Sequence, residues 1–311
     1  MATLNAAFDK LRDVVTVESP KMDDAWRRIL PFLKQDRDGE YIGVVSGYGL
    51  QQYTGEYEPL KEDTRSKGNR AKVYVLKYVL KTSISDEADM TDVNGLVTRD
   101  NAMLMAKAVA ASAATTAWSW LNDAFDATVT GVDGVTFANT AHPWGTAGGV
   151  TYSNTPGAGA PLSYATLSQA RAGIRRQKSP RNLPMLTEGG WVLCVPPELE
   201  TTAESMMVST QVPWAKGASG WDSGTPDVND SNVLAKAFDR MPLVTPYIEA
   251  SDYWALVPRN PDDHRLRMHV RMQNKHERWR DQDRQAYNMS VTDERAVHWA
   301  HAANTWVAKS T

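Results

Sequence analysis

Cysteine is almost missing from this chain. Cys194 is the only one in 311 residues, so no disulfide can close within the chain, and a reducing compartment is expected. It stands in Trp191-Val192-Leu193-Cys194-Val195, an apolar run that reads as a buried strand with the thiol as a small core hydrophobe. No apolar run approaches the ~18 residues of a membrane span, so none is expected. Met1 to Lys10 has no apolar stretch behind a basic start, so no secretory leader is expected and the protein should be made and kept in the cytoplasm. Charge of one sign is scarce too. With 34 Lys and Arg against 37 Asp and Glu the net charge is -3, which leaves no global basic footprint for reading nucleic acid.

Catalytic and ligand-binding templates are also absent. There is no Gly-x-Ser-x-Gly nucleophile elbow and no phosphate-cradling Gly-x-x-x-x-Gly-Lys. Gly47-Tyr48-Gly49 lacks the third glycine of a dinucleotide fingerprint. His276-Glu277-Arg278-Trp279-Arg280 begins like a zinc-protease helix, but Arg280 stands where the second histidine ligand must be. His298 and His301 could share a helix face, yet no cysteine or second spaced pair completes a zinc set. Asp86, Glu87, Asp89 and Asp92 lack the spacing and the glycine of a calcium loop. They read instead as negative charge placed before a helix N-terminus. No catalytic, cofactor-binding or metal-ligating residue is therefore expected.

What is present is an ordinary globular composition, 42% hydrophobic and 23% charged, with an unusual eleven tryptophans. Tryptophan in that number implies large apolar surfaces in cores or at interfaces. The length suits one large domain or two closely linked ones. Helical spacing of Ala6, Phe8, Leu11 and Val15, and again of Trp26, Ile29, Leu30 and Leu33 with a break at Pro31, predicts short arm-like helices over 1–38. Two Val- and Tyr-rich runs, Tyr41–Val45 and Val73–Leu80, predict a long hairpin with a polar, glycine-containing projection between them. The longest helical pattern runs from about 93 to 126 and is alanine-rich in its middle. After it comes a Gly-, Thr-, Asn- and Pro-rich stretch to about 161. A helix N-capped by Ser163 follows, then the strand 190–195, and then a helix start at Pro196-Pro197-Glu198. A Gly- and Ser-rich loop at 213–232 precedes strand runs at Tyr253–Val257 and Leu266–Val270 and an alternating tail. The order is α+β with one long helix.

Within this pattern, Gly131-Val132-Asp133-Gly134-Val135-Thr136-Phe137 leads to His142-Pro143, a Gly-rich turn and Ser153-Asn154. The order continues through Arg175-Arg176-Gln177-Lys178, Leu183-Pro184, the strand to Val195 and Pro196-Pro197-Glu198-Leu199-Glu200. This resembles the major capsid proteins of tailed double-stranded-DNA bacteriophages, in particular the phage Mu-like major head subunits. Asp133, Gly134, Phe137, His142, Pro143, Asn154, Pro196 and Pro197 carry the likeness. The resemblance implies the Hong Kong 97-type capsid fold. Under it, 1–38 is an N-terminal arm and 39–82 an extended loop hairpin reaching over a neighbouring subunit. Residues 83–160 form a peripheral domain around the spine helix, 161–250 an axial domain, and 251–311 strands returning to the peripheral domain.

It further implies that the chain is a virion capsid protein, assembled in the bacterial cytoplasm into pentamers and hexamers of a closed icosahedral shell. Partners would be copies of itself, a scaffolding protein, a portal, a decoration protein and, without sequence specificity, the packaged DNA, with no membrane. The hairpin supplies the candidate contacts between subunits: Tyr48, Tyr53, Tyr57 and Leu60 by apolar area, and Glu56, Glu58, Lys61, Glu62, Asp63, Arg65 and Lys67 by charge. Two alternatives stay open at the level of sequence. One is a compartment shell of the encapsulin kind; the other is a cytoplasmic enzyme whose site carries no recognisable motif.

Overall fold

The computed structural model describes residues 25–37, 39–51, 62–91, 96–146, 149–185, 189–209, 232, 234, 238 and 241–310. In chain order its strands begin with β1 (Phe32–Lys34), β2 (Glu40–Val45), β3 (Lys67–Val73) and β4 (Leu76–Ser85). Helices α1 (Asp86–Thr91) and α2 (Leu96–Asn122) come next, then β5 (His142–Pro143), β6 (Thr151–Tyr152) and α3 (Tyr164–Arg176). They are followed by β7 (Trp191–Val195), α4 (Glu200–Val208), β8 (Leu243–Val244), β9 (Tyr253–Pro258), β10 (Leu266–Asp281), β11 (Ala286–Trp299) and β12 (Trp306–Lys309). The chain divides into two compact units: Met1–Glu40, Val73–Trp118 and Arg267–His298 form the first, and Tyr41–Lys72, Ser119–Leu266 and Trp299–Thr311 the second.

The first unit is built on a four-stranded sheet in the order β1-β10-β11-β4. The alternation after Leu266 does not end at Val270 but continues as one strand to Asp281. β11 pairs antiparallel with β4 from Ala286 opposite Ser85 to Arg295 opposite Leu76. β1 lies parallel to only the start of β10, at Met268–Val270. Ahead of β1, Pro31 ends what the spacing of Trp26, Ile29 and Leu30 begins: a single 3-10 turn, Ala25–Arg28, buries Trp26, and Ile29 and Leu30 are buried just after it, whereas Leu33 sits exposed in β1. A proline cannot supply the N–H that a continuing helix needs.

The alanine-rich stretch of α2 buries Ala106, Val109, Ala110, Ala114 and Ala117. Small side chains let the helix approach the sheet closely enough for Arg295 of β11 to reach Ser112 Oγ at 2.6 Å. The same guanidinium donates to Asp293 at 2.5 Å and stacks over Tyr78 at 4.5 Å. Asp293 also accepts the backbone N–H of Asn274, at 2.5 Å, where β10 takes up a left-handed residue (φ 48°). Asparagine tolerates that conformation better than most residues.

The second unit holds the sheet β12-β9-β7-β8. Every residue of β7 is buried, Cys194 completely, so side chains on both faces of this strand are covered. β9 lies antiparallel to β7 and to β12, and β8 parallel to β7. The segment 251–311 is therefore shared between the two sheets rather than returning as a body to one of them. α3 begins with a capping box between Ser163 and Thr166 and buries Leu167, Ala170 and Ile174. A Cβ on its Gly173 would stand 2.4 Å from the Trp306 ring, so only glycine permits this approach.

The predicted hairpin exists with a different second strand. β2 pairs with β3, and Ser46 donates its backbone N–H to Ser66. The run Val73–Leu80 lies mostly in β4, on the edge of the other sheet, beside β11. Val and Tyr content marks a strand but does not choose its partner.

Candidate functional site

Of the eleven candidate contact residues, Tyr53, Glu56, Tyr57, Glu58, Leu60 and Lys61 lie outside the described residues. The others sit at the root of the hairpin. Tyr48 is 60% exposed and stacks against the Arg65 guanidinium at 5.5 Å. Asp63 accepts the backbone N–H of Gly49 at 2.6 Å and pairs with Arg181 at 3.0 Å. Arg181 also donates to the carbonyls of Gly47, at 3.2 Å, and Thr64. One guanidinium thus holds both limbs of the hairpin where they leave the β2–β3 ladder. No sequence pattern pointed to Arg181, because it lies far along the chain from the residues that it clamps. Glu62 and Lys67 are exposed beside this root.

The residues that carried the family likeness fall into two groups. Asp133, Gly134, Phe137, His142 and Asn154 converge; Pro196 and Pro197 lie after β7, where they open the 3-10 turn Pro197–Leu199. The converging group starts from a tight turn, in which Gly134 (φ +79°) donates its N–H to Gly131 O. That turn aims Asp133 at His142, whose Nδ1 stands 2.5 Å from Asp133 Oδ2. The other ring nitrogen faces Phe137 O at 3.1 Å and Asn154 Oδ1 at 3.2 Å.

The Asn154 amide is oriented by its own partners: Oδ1 accepts the N–H of Asn139 at 2.9 Å and Nδ2 donates to Phe137 O at 2.6 Å. His142 is completely buried, with Tyr152 stacked on it at 4.9 Å. Burial, with the Asp133 carboxylate close by, pushes the Tyr152 hydroxyl well above its usual range. That hydroxyl accepts the N–H of Ala302 at 2.9 Å. Phe137 is packed between Trp120 and Trp299, at 4.9 and 5.0 Å. A Cβ on Gly131 would strike Trp299, so the turn runs against the indole.

Pro143 links this network to the hairpin, because its carbonyl accepts the Asn69 side-chain amide of β3 at 2.9 Å. The converging group is thus a brace, with His142, Phe137 and Asn154 buried, that supports the hairpin root. Sequence reading named the brace residues without their geometry, and missed Asn69 and Tyr152, which carry no motif.

Among the described residues no three His, Cys, Asp or Glu side chains gather in a metal-binding arrangement, and no helix is long and apolar enough to cross a membrane. The acids expected to precede a helix do so in part: Asp86 begins α1 and pairs with Arg280 at 2.7 Å.

A model of the family described as phage capsid protein matches residues 70–300. No curated protein matches the sequence. Among solved structures, the mature capsid of bacteriophage PhiM1 is similar with a TM-score of 0.56 at 11% identity, over 92% of this chain and 86% of that one. Gordonia phage Cozz gives 0.54 at 12% identity, over 93% and 87%. A virus-like particle from Pyrococcus furiosus gives 0.52 at 11% identity, over 97% and 98%.

Proposed function

The chain belongs to the phage capsid protein family, and from that premise we propose that copies of it close into an icosahedral shell around packaged double-stranded DNA. Its fold is the Hong Kong 97-type capsid fold, and it is a major capsid subunit of the virion. The observation that carries the reading is the family match, which covers most of the chain, including the long helix and three strands of each four-stranded sheet.

In the proposed shell the β2–β3 hairpin, residues 40–73, reaches over an adjacent subunit, 1–38 serves as an arm, and the groups around the long helix and around β7 act as peripheral and axial domains. Pentamers and hexamers form in the bacterial cytoplasm with a scaffolding protein and a portal, and a decoration protein joins the outside. The work done is structural. Buried subunit contacts hold the particle together, and closed symmetry stops growth. DNA is met through its backbone, without sequence selection.

Electron microscopy of the purified full-length chain, alone and co-expressed with the neighbouring phage genes, tests this. Closed polyhedral particles are expected. A stable monomer under every condition would overturn the reading, and DNA-free particles loaded with a host enzyme would identify a cargo compartment instead.

A further inference from the structure

From Gly134 to Thr187 the chain contains no Asp or Glu, yet it carries Arg171, Arg175, Arg176, Lys178 and Arg181. This run of cations stands in a chain whose net charge is -3. Arg171 and Arg175 of α3 lie over the Trp191 ring, at 5.8 and 5.6 Å. Lys178 and Arg181 have a different setting. With Thr64, Ser66, Thr146 and Thr151 they line an open cleft of about 780 Å³ that lies wholly within the second unit. No carboxylate among the described residues lines it.

The backbone that presents the two cations is fixed by local chemistry. Ser179 O accepts the N–H of Asn182 at 2.8 Å, and Ser179 N–H donates to Leu183 O at 2.8 Å. Pro180 presets one φ of this turn, and Asn182 closes it in the left-handed region (φ 62°), which asparagine tolerates. The base of the turn is tied to the interior. Trp144 Nε1 donates to Lys178 O at 3.0 Å. The buried Gln177 donates to Ser153 O at 2.6 Å and accepts the N–H of Asn304 at 2.5 Å. A backbone set in advance lowers the ordering cost of binding.

The side chains are only partly used by the fold. Arg181 spends Nε and Nη2 on the hairpin root and on Asp63, which leaves Nη1. Asp63 offsets part of its charge. Lys178 is exposed, and its ammonium has no ion pair among the described residues. Thr146 Oγ1, in the turn between β5 and β6, has no hydrogen-bond partner among the described residues. Rotation about one side-chain bond turns it to the cleft. We propose that this cleft binds a phosphate group. Donors drawn from three elements, the loop after α3, the β5–β6 turn and the hairpin root, suit a tetrahedral oxyanion better than a planar carboxylate. Free phosphate and the phosphodiester of a nucleic-acid backbone offer the same oxygens, and the volume admits either. The proposal concerns the single subunit and stands apart from the shell reading.

The full-length, unassembled subunit is titrated with inorganic phosphate by calorimetry and with a labelled DNA duplex of arbitrary sequence by anisotropy. Sodium chloride holds the ionic strength constant, because exposed charges are screened by salt. Saturable binding of at least one probe is expected. Lys178→Gln should weaken it by about tenfold, the loss of one charge-assisted bond, with unchanged circular dichroism. Lys34→Gln, which removes an exposed lysine of the first unit, should leave it unchanged. Lys178-dependent binding of phosphate upholds the proposal with the free anion as ligand; Lys178-dependent binding of the duplex alone upholds it with the phosphodiester. Binding of neither probe overturns it, as do equal affinities of wild type and Lys178→Gln, or an equal loss in Lys34→Gln. Succinate that displaces phosphate at equal concentration also overturns it and assigns the cleft to a carboxylate. Should Lys178→Gln not fold, Thr146→Val is read in its place. It keeps the shape and removes the unpartnered hydroxyl, and an unchanged affinity overturns the proposal.

Discussion

Asp133 and His142 stand 2.5 Å apart with the imidazole wholly buried, and Tyr152 closes the stack above them. The pair joins the turn after the long helix to the strand that leads to the hairpin root. Replacing Asp133 by Ala leaves a buried donor on His142 without its acceptor. A cost of about 1–3 kcal/mol is expected, measured as a lower denaturant midpoint of the unassembled subunit. Combining it with Asn154→Ala should cost less or more than the sum, because both touch one ring. Strict additivity would show that the three side chains are not one network.

Arg295 is the charged group most deeply committed to the first unit. Burial pulls its guanidinium below the usual range, and the Asp293 carboxylate opposes that pull. Arg295→Ala leaves the buried Asp293 carboxylate without its cation, a class of change that costs about 3–5 kcal/mol. Arg295→Met together with Asp293→Leu should cost much less. Equal losses in the two variants, by chemical denaturation, would argue that volume rather than charge matters here.

Arg181 clamps the hairpin root from the surface. Arg181→Ala should change global stability by about 0–1 kcal/mol, as an exposed pair does. Limited proteolysis between Gly47 and Thr64 should nevertheless speed up, because both limbs lose their tie. An unchanged cleavage rate would mean that the β2–β3 ladder alone sets the root.

The deletion that isolates the role of the hairpin must spare Asp63, Ser66 and Lys67, which belong to its root and to β3. Removing 52–61 should leave the circular dichroism of the subunit intact while stable shells are lost. Equally heat-resistant particles from the deletion would show that the stretch makes no contact of consequence.

His269 gives the first unit a pH dependence. Burial, then the neighbouring His298 and Arg267, lowers its pKa from 6.5 to about 4. A histidine kept neutral in the fold and protonated in the unfolded chain lowers stability as pH falls. The loss begins near 6.5, the unfolded value, grows toward 4, the folded value, and levels below it. It amounts to about 3 kcal/mol at full extent. Denaturation of the unassembled subunit at pH 7 and pH 4.5 measures it, and His269→Gln should flatten the difference. A variant with the same pH slope would place the sensitivity elsewhere.

Local chemistry was sufficient for several elements of this protein. Ser163 three residues before Thr166 starts α3, the run Trp191–Val195 is a buried strand, and the alanine-rich stretch forms the long helix. Each depends on groups within a few residues, so the sequence determines it directly: caps, helix propensity and apolar runs act over one or two turns. The order of such pieces, with Asp133-Gly134 and His142-Pro143, sufficed to indicate the capsid fold.

Pairing was decided only in three dimensions. Val73–Leu80 reads equally well as a hairpin limb or a sheet edge, and β11 claims its second part because Leu76–Ser85, ten consecutive residues, finds register there. A period-two pattern tells which residues share a face but not which strand lies beside them. The same holds for the sites. Asp63 and Arg181, Asn69 and Pro143, and Asp86 and Arg280 are each separated by many tens of residues, and no spacing rule spans that distance. Charge and hydrogen-bonding capacity were written in the chain; which groups they would meet was settled by the packing within each unit.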